Sequence, residues 1–172
     1  MTAGRTRRAK GRRTRAAILA RAVDLASVEG LDSLTIGRLA GELGMSKSGL
    51  FAHFGSKEEL LLATVGTARE TFVEEVMRPA LATPRGLPRL WSLCAAWLEY
   101  AEGAVFPGVC FFTAASAEYD SRPGPVRDAI ADTMRTWLNS LERAAHMSVE
   151  MGHLPQLSPE ELVFELNALA MG

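Results

Sequence analysis

Residues 44–60 read GMSKSGLFAHFGSKEEL and hold two helix starts in close succession. Ser46 is an N-cap residue, and Ser56 with Glu59 has the spacing of a capping box. Between the two caps, Leu50 and Phe54 share one helical face, while Ser46, Lys47, Ser48 and Gly49 are small or polar. This predicts a short helix with an apolar underside and a first turn free of bulk. Upstream, Thr35 can cap a helix whose Ile36, Leu39, Ala40 and Leu43 form a stripe, and Gly44 stands where a helix end favours positive φ. Two short helices joined by a glycine-containing turn are a helix-turn-helix. Small Ala40 before the turn lets the helices approach, and Leu50 after it packs beneath.

Working outward, Ile18, Leu19, Ala22, Leu25 and Ala26 give an amphipathic helix from Thr14 to Glu29, with Gly30 as its stop. Ser56 opens a long helix with the stripe Leu61, Val65, Ala68, Phe72 and Val76. RPALATPRGLP, over residues 78–88, reads as a linker before a fifth helix with the stripe Leu87, Leu90, Trp91, Cys94, Leu98 and Ala101. An uncharged run from Val109 to Ala117 predicts a buried helix. Pro125 begins a long one carrying Val126, Ile130, Trp137 and Leu141, and Ser158 with Pro159 starts a last one with Leu162, Leu166 and Leu169 on one side. No segment alternates as a strand does. The expected fold is all-α: a basic disordered arm over 1–13, a helix-turn-helix domain over 14–58, a fourth helix from 57 linking the domains, and a helical domain over 59–172.

In a recognition helix the N-terminal residues face the major groove, which calls for small or donor-bearing side chains there. Lys47 suits a guanine edge or a phosphate, Ser48 either kind of contact, and Gly49 a close approach of backbone to DNA. Capping alone also accounts for Ser46 and Ser56. The N-terminus of the fourth helix favours an anion, and Lys57 adds positive charge there, which suits a phosphate. His53 reads equally well as a partly exposed helix residue or a phosphate contact. Charge points the same way: residues 1–57 hold eleven Lys+Arg against four Asp+Glu, and the remainder eight against sixteen. A basic front on an acidic body suits a polyanion. Seven of the basic groups lie in residues 5–15, so a solvated tail accounts for much of the excess.

The stretch AAILARAVDLASVEGLDSLTIGRLAGELGMSKSGLFAHFGSKEELLLAT, residues 16–64, resembles the N-terminal DNA-binding domain of TetR-family transcriptional regulators. The resemblance implies that Thr35, Lys47, Ser48, Gly49, Phe51, His53 and Lys57 sit at or near operator DNA, with Ser46 at the start of the recognition helix. Where the family commonly has tyrosine before its HF pair, Phe51 leaves only apolar or thymine-methyl contact. The resemblance further implies a C-terminal domain that binds a small effector and forms a homodimer through two late helices. The chain ends at Gly172, short for the family, so a last helix is expected to be missing.

The expected effector site lies among the fifth, sixth and seventh helices. Trp91, Cys94, Leu98, Cys110, Phe111, Met134 and Trp137 would form an apolar wall, and Glu118 and Tyr119 would orient a largely apolar, aromatic or cationic compound; a plain packed core uses the same residues. An enzyme is the competing class, yet Cys94, Cys110, His146 and His153 show no CxxC, HxxxH or HExxH spacing, and there is no GxSxG. Neither metal nor cofactor is implied, and the two cysteines form no disulfide framework. A module binding RNA, non-specific nucleic acid or a membrane surface through the arm explains the charge but not the spacing from Ala40 to Lys57. No apolar run reaches the ~20 residues of a membrane span, and Arg21 and Asp24 interrupt what a signal peptide would need, so the chain reads as cytoplasmic. The reading is a ligand-responsive regulator, a repressor acting as a homodimer on a palindromic operator.

Overall fold

The computed structural model of the protein describes residues 3–108, 110–155 and 157–171, and among these there are helices and no strands. In chain order they are α1 (Ala3–Glu29), α2 (Ile36–Glu42), α3 (Lys47–Phe54), α4 (Lys57–Phe72), α5 (Arg78–Ala82), α6 (Leu87–Glu99), α7 (Phe111–Tyr119), α8 (Pro125–Glu150) and α9 (Pro159–Met171). The chain forms two compact units. One gathers residues up to Ala68 together with Phe106–Ala129, and the other gathers Arg69–Val105 with Ile130 onward. α7 thus packs with the helix-turn-helix, although it lies within the stretch 59–172 expected to form the second domain.

In the first unit, most side chains the helical periodicity selects are buried: Ile18, Ala22, Leu25 and Ala26 on α1, Leu39 and Ala40 on α2, Leu50 and Phe54 on α3, and Leu61, Val65 and Ala68 on α4, whereas Ile36 and Leu43 of the predicted α2 stripe are half-buried. Gly44 has φ +61° at the turn between α2 and α3. α1 is longer than predicted. It continues back to Ala3 where a disordered arm over 1–13 is expected; Met1 and Thr2 lie outside the described residues. The reason is that once the core-packed half exists, each added residue gains a backbone hydrogen bond without a new nucleus, and Arg, Lys and Ala are good helix formers.

The segment before α7 meets α1 at close range. The Gly108 amide donates to Ser27 Oγ at 3.2 Å, and Ser27 Oγ donates to the Asp24 carbonyl at 2.8 Å. A Cβ on residue 108 would overlap the carbonyl of Ser27, which is main chain and has no rotamer to change. Gly108→Ala is therefore expected to destabilise the protein by about 1–3 kcal/mol through overpacking. A thermal midpoint equal to that of the parent would disprove the close packing.

In the second unit, α4 continues through a π-helical turn, Val73–Met77, into α5. Part of the predicted linker 78–88 is therefore helical. Pro79 has no amide to donate, and the wider turn before it, with Arg78 N–H bonded to the Val73 carbonyl, accommodates the missing bond. The core is aromatic: Phe72 meets Tyr100 and Trp137 edge-on at 5.3 and 5.4 Å, and Trp97 lies 6.2 Å from Trp137. α6 turns a different face inward from the one predicted. Leu90, Leu93, Trp97 and Tyr100 are buried, whereas Trp91 and Leu98 are exposed. Its polar residues Arg89, Ser92 and Glu99 lie along one side, and periodicity selects the side directly opposite, but the helix packs on a face turned towards Leu93 and Trp97. On α9, Ser158 Oγ accepts from the Glu161 amide as the cap predicts, but the buried residue is Val163, and Leu169 faces water.

Candidate functional site

The first turn of α3 is built by its cap. Ser46 has extended backbone, and its Oγ accepts from the Gly49 amide at 3.1 Å. A Cβ at position 49 would come within 2.9 Å of that oxygen, so glycine leaves the cap its place. Ser48 Oγ lies 3.4 Å from Ser46 Oγ. Leu50 and Phe54 hold the helix from below, and the Arg15 guanidinium stands 5.0 Å from the centre of the Phe54 ring, a cation–π contact. Ser46, Lys47 and Ser48 remain exposed, and Phe51 is 51% exposed, a large apolar side chain in water. His53 is half-buried. On α2, Thr35 is exposed, and its Oγ1 accepts from the Arg38 amide at 3.0 Å. The Lys47 stem crosses α2 so closely that a Cβ on Gly37 would lie 3.3 Å from its Cε.

Carboxylates sort the basic residues of this unit into two kinds. Arg21 pairs with Glu42, and Arg38 bonds Glu29 at 2.6 Å and Glu42 at 2.8 Å, so both arginines tie α2 back to α1. Their guanidinium groups, Arg21 first, hold the Glu42 carboxyl below its usual range. Lys57 Nζ donates to the Asp32 carbonyl at 2.8 Å and to Asp32 Oδ1 at 3.2 Å. Arg122 meets Asp32 Oδ2 at 2.8 Å, and Arg122 and then Lys57 pull that carboxyl below the aspartate norm. Lys57, expected at a phosphate, is thus engaged with the turn between α1 and α2. Lys47, Lys10, Arg12 and Arg13 form no ion pair among the described residues. At Ser56, the hydroxyl accepts from the Glu59 amide at 3.0 Å, while the Ser56 amide itself bonds the Phe54 carbonyl.

The residues expected at one effector site fall in different places. Cys94, Leu98 and Trp137 line an apolar cavity of about 160 Å³ in the second unit, together with Trp97, Leu141 and Leu166. Burial pushes the half-buried Cys94 thiol above its ordinary value, which disfavours the thiolate. Met134 is half-buried, and Trp91 lines a shallow cleft with Leu87, Pro88 and His153. Cys110, Phe111, Glu118 and Tyr119 belong to the first unit. Cys110 and Phe111 are buried, and Tyr119 lines a cleft with Asp32, Lys57 and Arg122. Glu118, expected to orient a ligand, has both carboxylate oxygens in use: Oε2 accepts from the Leu31 amide and Oε1 from the Asp32 amide, each at 2.8 Å. Sequence reasoning missed this clamp because its partners lie some 87 positions away and are main-chain groups. Among the described residues no cluster of His, Cys, Asp or Glu is arranged to hold a metal, and no helix is long and apolar enough to cross a membrane.

Comparison with known proteins agrees with this geometry. Residues 18–64 match the family model for bacterial regulatory proteins of the tetR family, and residues 86–172 match the tetracyclin repressor-like C-terminal domain. No curated protein is similar enough to count as a match. Among solved structures, a TetR transcriptional regulator from Chloroflexus aurantiacus aligns with TM-score 0.81 at 23% identity, over 92% of this chain and 81% of that one. AibR in complex with isovaleryl coenzyme A and operator DNA aligns with TM-score 0.76 at 22% identity, over 91% and 83%. A transcriptional regulator from Saccharomonospora viridis in complex with choline also aligns with TM-score 0.76 at 22% identity, over 91% and 81%. With an exposed, capped α3 packed against α2 and more than half its length matched by family models, the chain belongs to the TetR family of DNA-binding transcription regulators, which are not enzymes.

Proposed function

We propose that the protein is a cytoplasmic repressor that binds a palindromic operator as a homodimer and leaves it when a small effector binds. The observation that carries the DNA side is the first turn of α3, where the exposed Ser46, Lys47 and Ser48 stand on a helix anchored by buried Leu50 and Phe54. Thr35, Gly49, Phe51 and His53 flank it, with Lys10, Arg12 and Arg13 on α1 as further charges free for phosphates. AibR, a relative in fold, has been solved with both an effector and operator DNA, which supports pairing the two ligands in one chain. Cys94, Leu98 and Trp137 line a cavity of about 160 Å³, smaller than the ~300 Å³ of ordinary ligand sites, so the effector is proposed to bind elsewhere in the second unit. The test is a gel shift with duplex from upstream of the protein's own gene against a scrambled duplex of equal length. Equal affinity for the two would remove the operator reading. A footprint should show two-fold symmetry with half-sites about 34–36 Å apart.

The dimer is proposed to use α9. Phe164 and Leu169 on α9 are 75% and 82% exposed, and Leu98 on α6 is 52% exposed, an apolar surface that association would remove from water. Phe164→Glu with Leu169→Glu should shift sedimentation from dimer to monomer and weaken operator binding, while helical content is retained. A variant that sediments as the parent does would rule out this face.

A further inference from the structure

The second unit contains a larger cleft of about 720 Å³, bounded by α5, the start of α6 and the C-terminal half of α8. Its floor is apolar, with Met77, Leu81, Ala144 and Met147, and its rim carries Arg85, Arg89 and Arg143. How the arginines of this acidic body are partnered is the informative observation. Residues 58–172 hold eight arginines and no lysine. Arg78, Arg122, Arg127 and Arg135 each have a carboxylate within ion-pair distance. Arg85, Arg89 and Arg143 have none among the described residues, and they line one cleft; Arg69, the eighth, lies outside it. One carboxylate, Glu150, shares the cleft, and His146 there is hydrogen-bonded to Glu160 at 2.9 Å. Arg89 is fixed in place, its Nε and Nη2 both donating to the Thr83 carbonyl, a neutral acceptor that leaves its charge uncompensated.

Three like charges around one concavity repel each other, and an anion placed between them removes that cost. Guanidinium groups bind carboxylate and phosphate through paired N–H donors. The apolar floor offers nothing to a bare inorganic anion but favours a hydrocarbon tail, by about 0.8 kcal/mol per buried methylene. The volume lies within the ~300–1,000 Å³ range of small-molecule sites. We propose that this cleft binds an amphipathic organic anion, a hydrocarbon tail with a carboxylate or phosphate head, and that this is the chemical class of the effector. The effector part rests on the reading of the chain as a ligand-responsive regulator. It replaces the aromatic or cationic compound expected from sequence with an anionic one.

The test is titration calorimetry on the full chain without DNA, using octanoate, octanoyl-coenzyme A, coenzyme A and octanol. Octanoate or octanoyl-coenzyme A should bind at least tenfold more tightly than its headless or tailless counterpart, and which of the two binds separates a free acid from a phosphate-bearing thioester. Arg85→Gln with Arg143→Gln, both exposed and without ion pairs, should weaken binding at least tenfold while circular dichroism and thermal midpoint stay unchanged. The inference is overturned if octanol binds as well as octanoate, if coenzyme A binds as well as its octanoyl thioester, if neither anion binds at millimolar concentration, or if the double variant binds normally. Operator release is measured separately by fluorescence anisotropy. Anion binding with unchanged operator affinity would overturn the assignment as effector and leave the cleft as an anion site.

Discussion

Lys47→Ala is expected to lower operator affinity about 5- to 150-fold, corresponding to a loss of about 1–3 kcal/mol, and to reduce the slope of log affinity against log salt by about one. Lys47 is exposed on the first turn of α3, has no carboxylate partner among the described residues, and follows the Ser46 cap that fixes where the helix begins. Lys57→Ala is expected to behave differently. Its ammonium is held by Asp32, so its loss should cost some stability of the turn between α1 and α2 and leave the salt slope nearly unchanged. Anisotropy titrations at several salt concentrations separate the two. If Lys57→Ala flattens the slope as much as Lys47→Ala does, Lys57 leaves Asp32 for a phosphate in the complex.

Glu118→Ala should lower folding stability by about 2–4 kcal/mol. The carboxylate accepts two main-chain hydrogen bonds of 2.8 Å, each charge-assisted, from the consecutive amides of Leu31 and Asp32. Gly30 turns the chain there with φ +88°, and a Cβ on it would stand 3.3 Å from the Glu118 carboxylate. Without the acceptor, two part-buried N–H groups lose their partner at the entry to α2. Glu118→Gln should recover less than half of the loss, since an amide supplies one acceptor oxygen and turns a donor toward the second N–H. Operator affinity should fall along with stability, because the same turn leads through Leu34 and Thr35 into the helix-turn-helix. An unfolding free energy for Glu118→Ala within about half a kcal/mol of the parent would show the clamp to be dispensable.

The sequence by itself determined the local elements of the DNA-binding end. Thr35, Ser46, Ser56 and Ser158 each bond the amide three residues on, and Gly44 takes positive φ at the turn. The α4 stripe from Leu61 to Val76 is buried as its spacing predicts. These features are legible because capping, turn conformation and amphipathic period involve residues within one or two helical turns of each other. Tertiary structure alone decided what depends on distant partners. α6 has a polar side at Arg89, Ser92 and Glu99, but its apolar side is broad enough to hold both Trp91 and Trp97, so only packing shows that Trp97 goes inward and Trp91 outward. Lys57 and Glu118 look free in sequence, yet each is taken up by the turn at residues 31–32, because an exposed-looking charge is captured wherever the fold brings an unpaired carboxylate or main-chain donor within reach. The arginines of the basic cleft follow the same rule in reverse. Positions 85, 89 and 143 mean nothing in sequence, and they become a site only when α8 folds back beside the start of α6 and leaves three charges without an ion pair among the described residues.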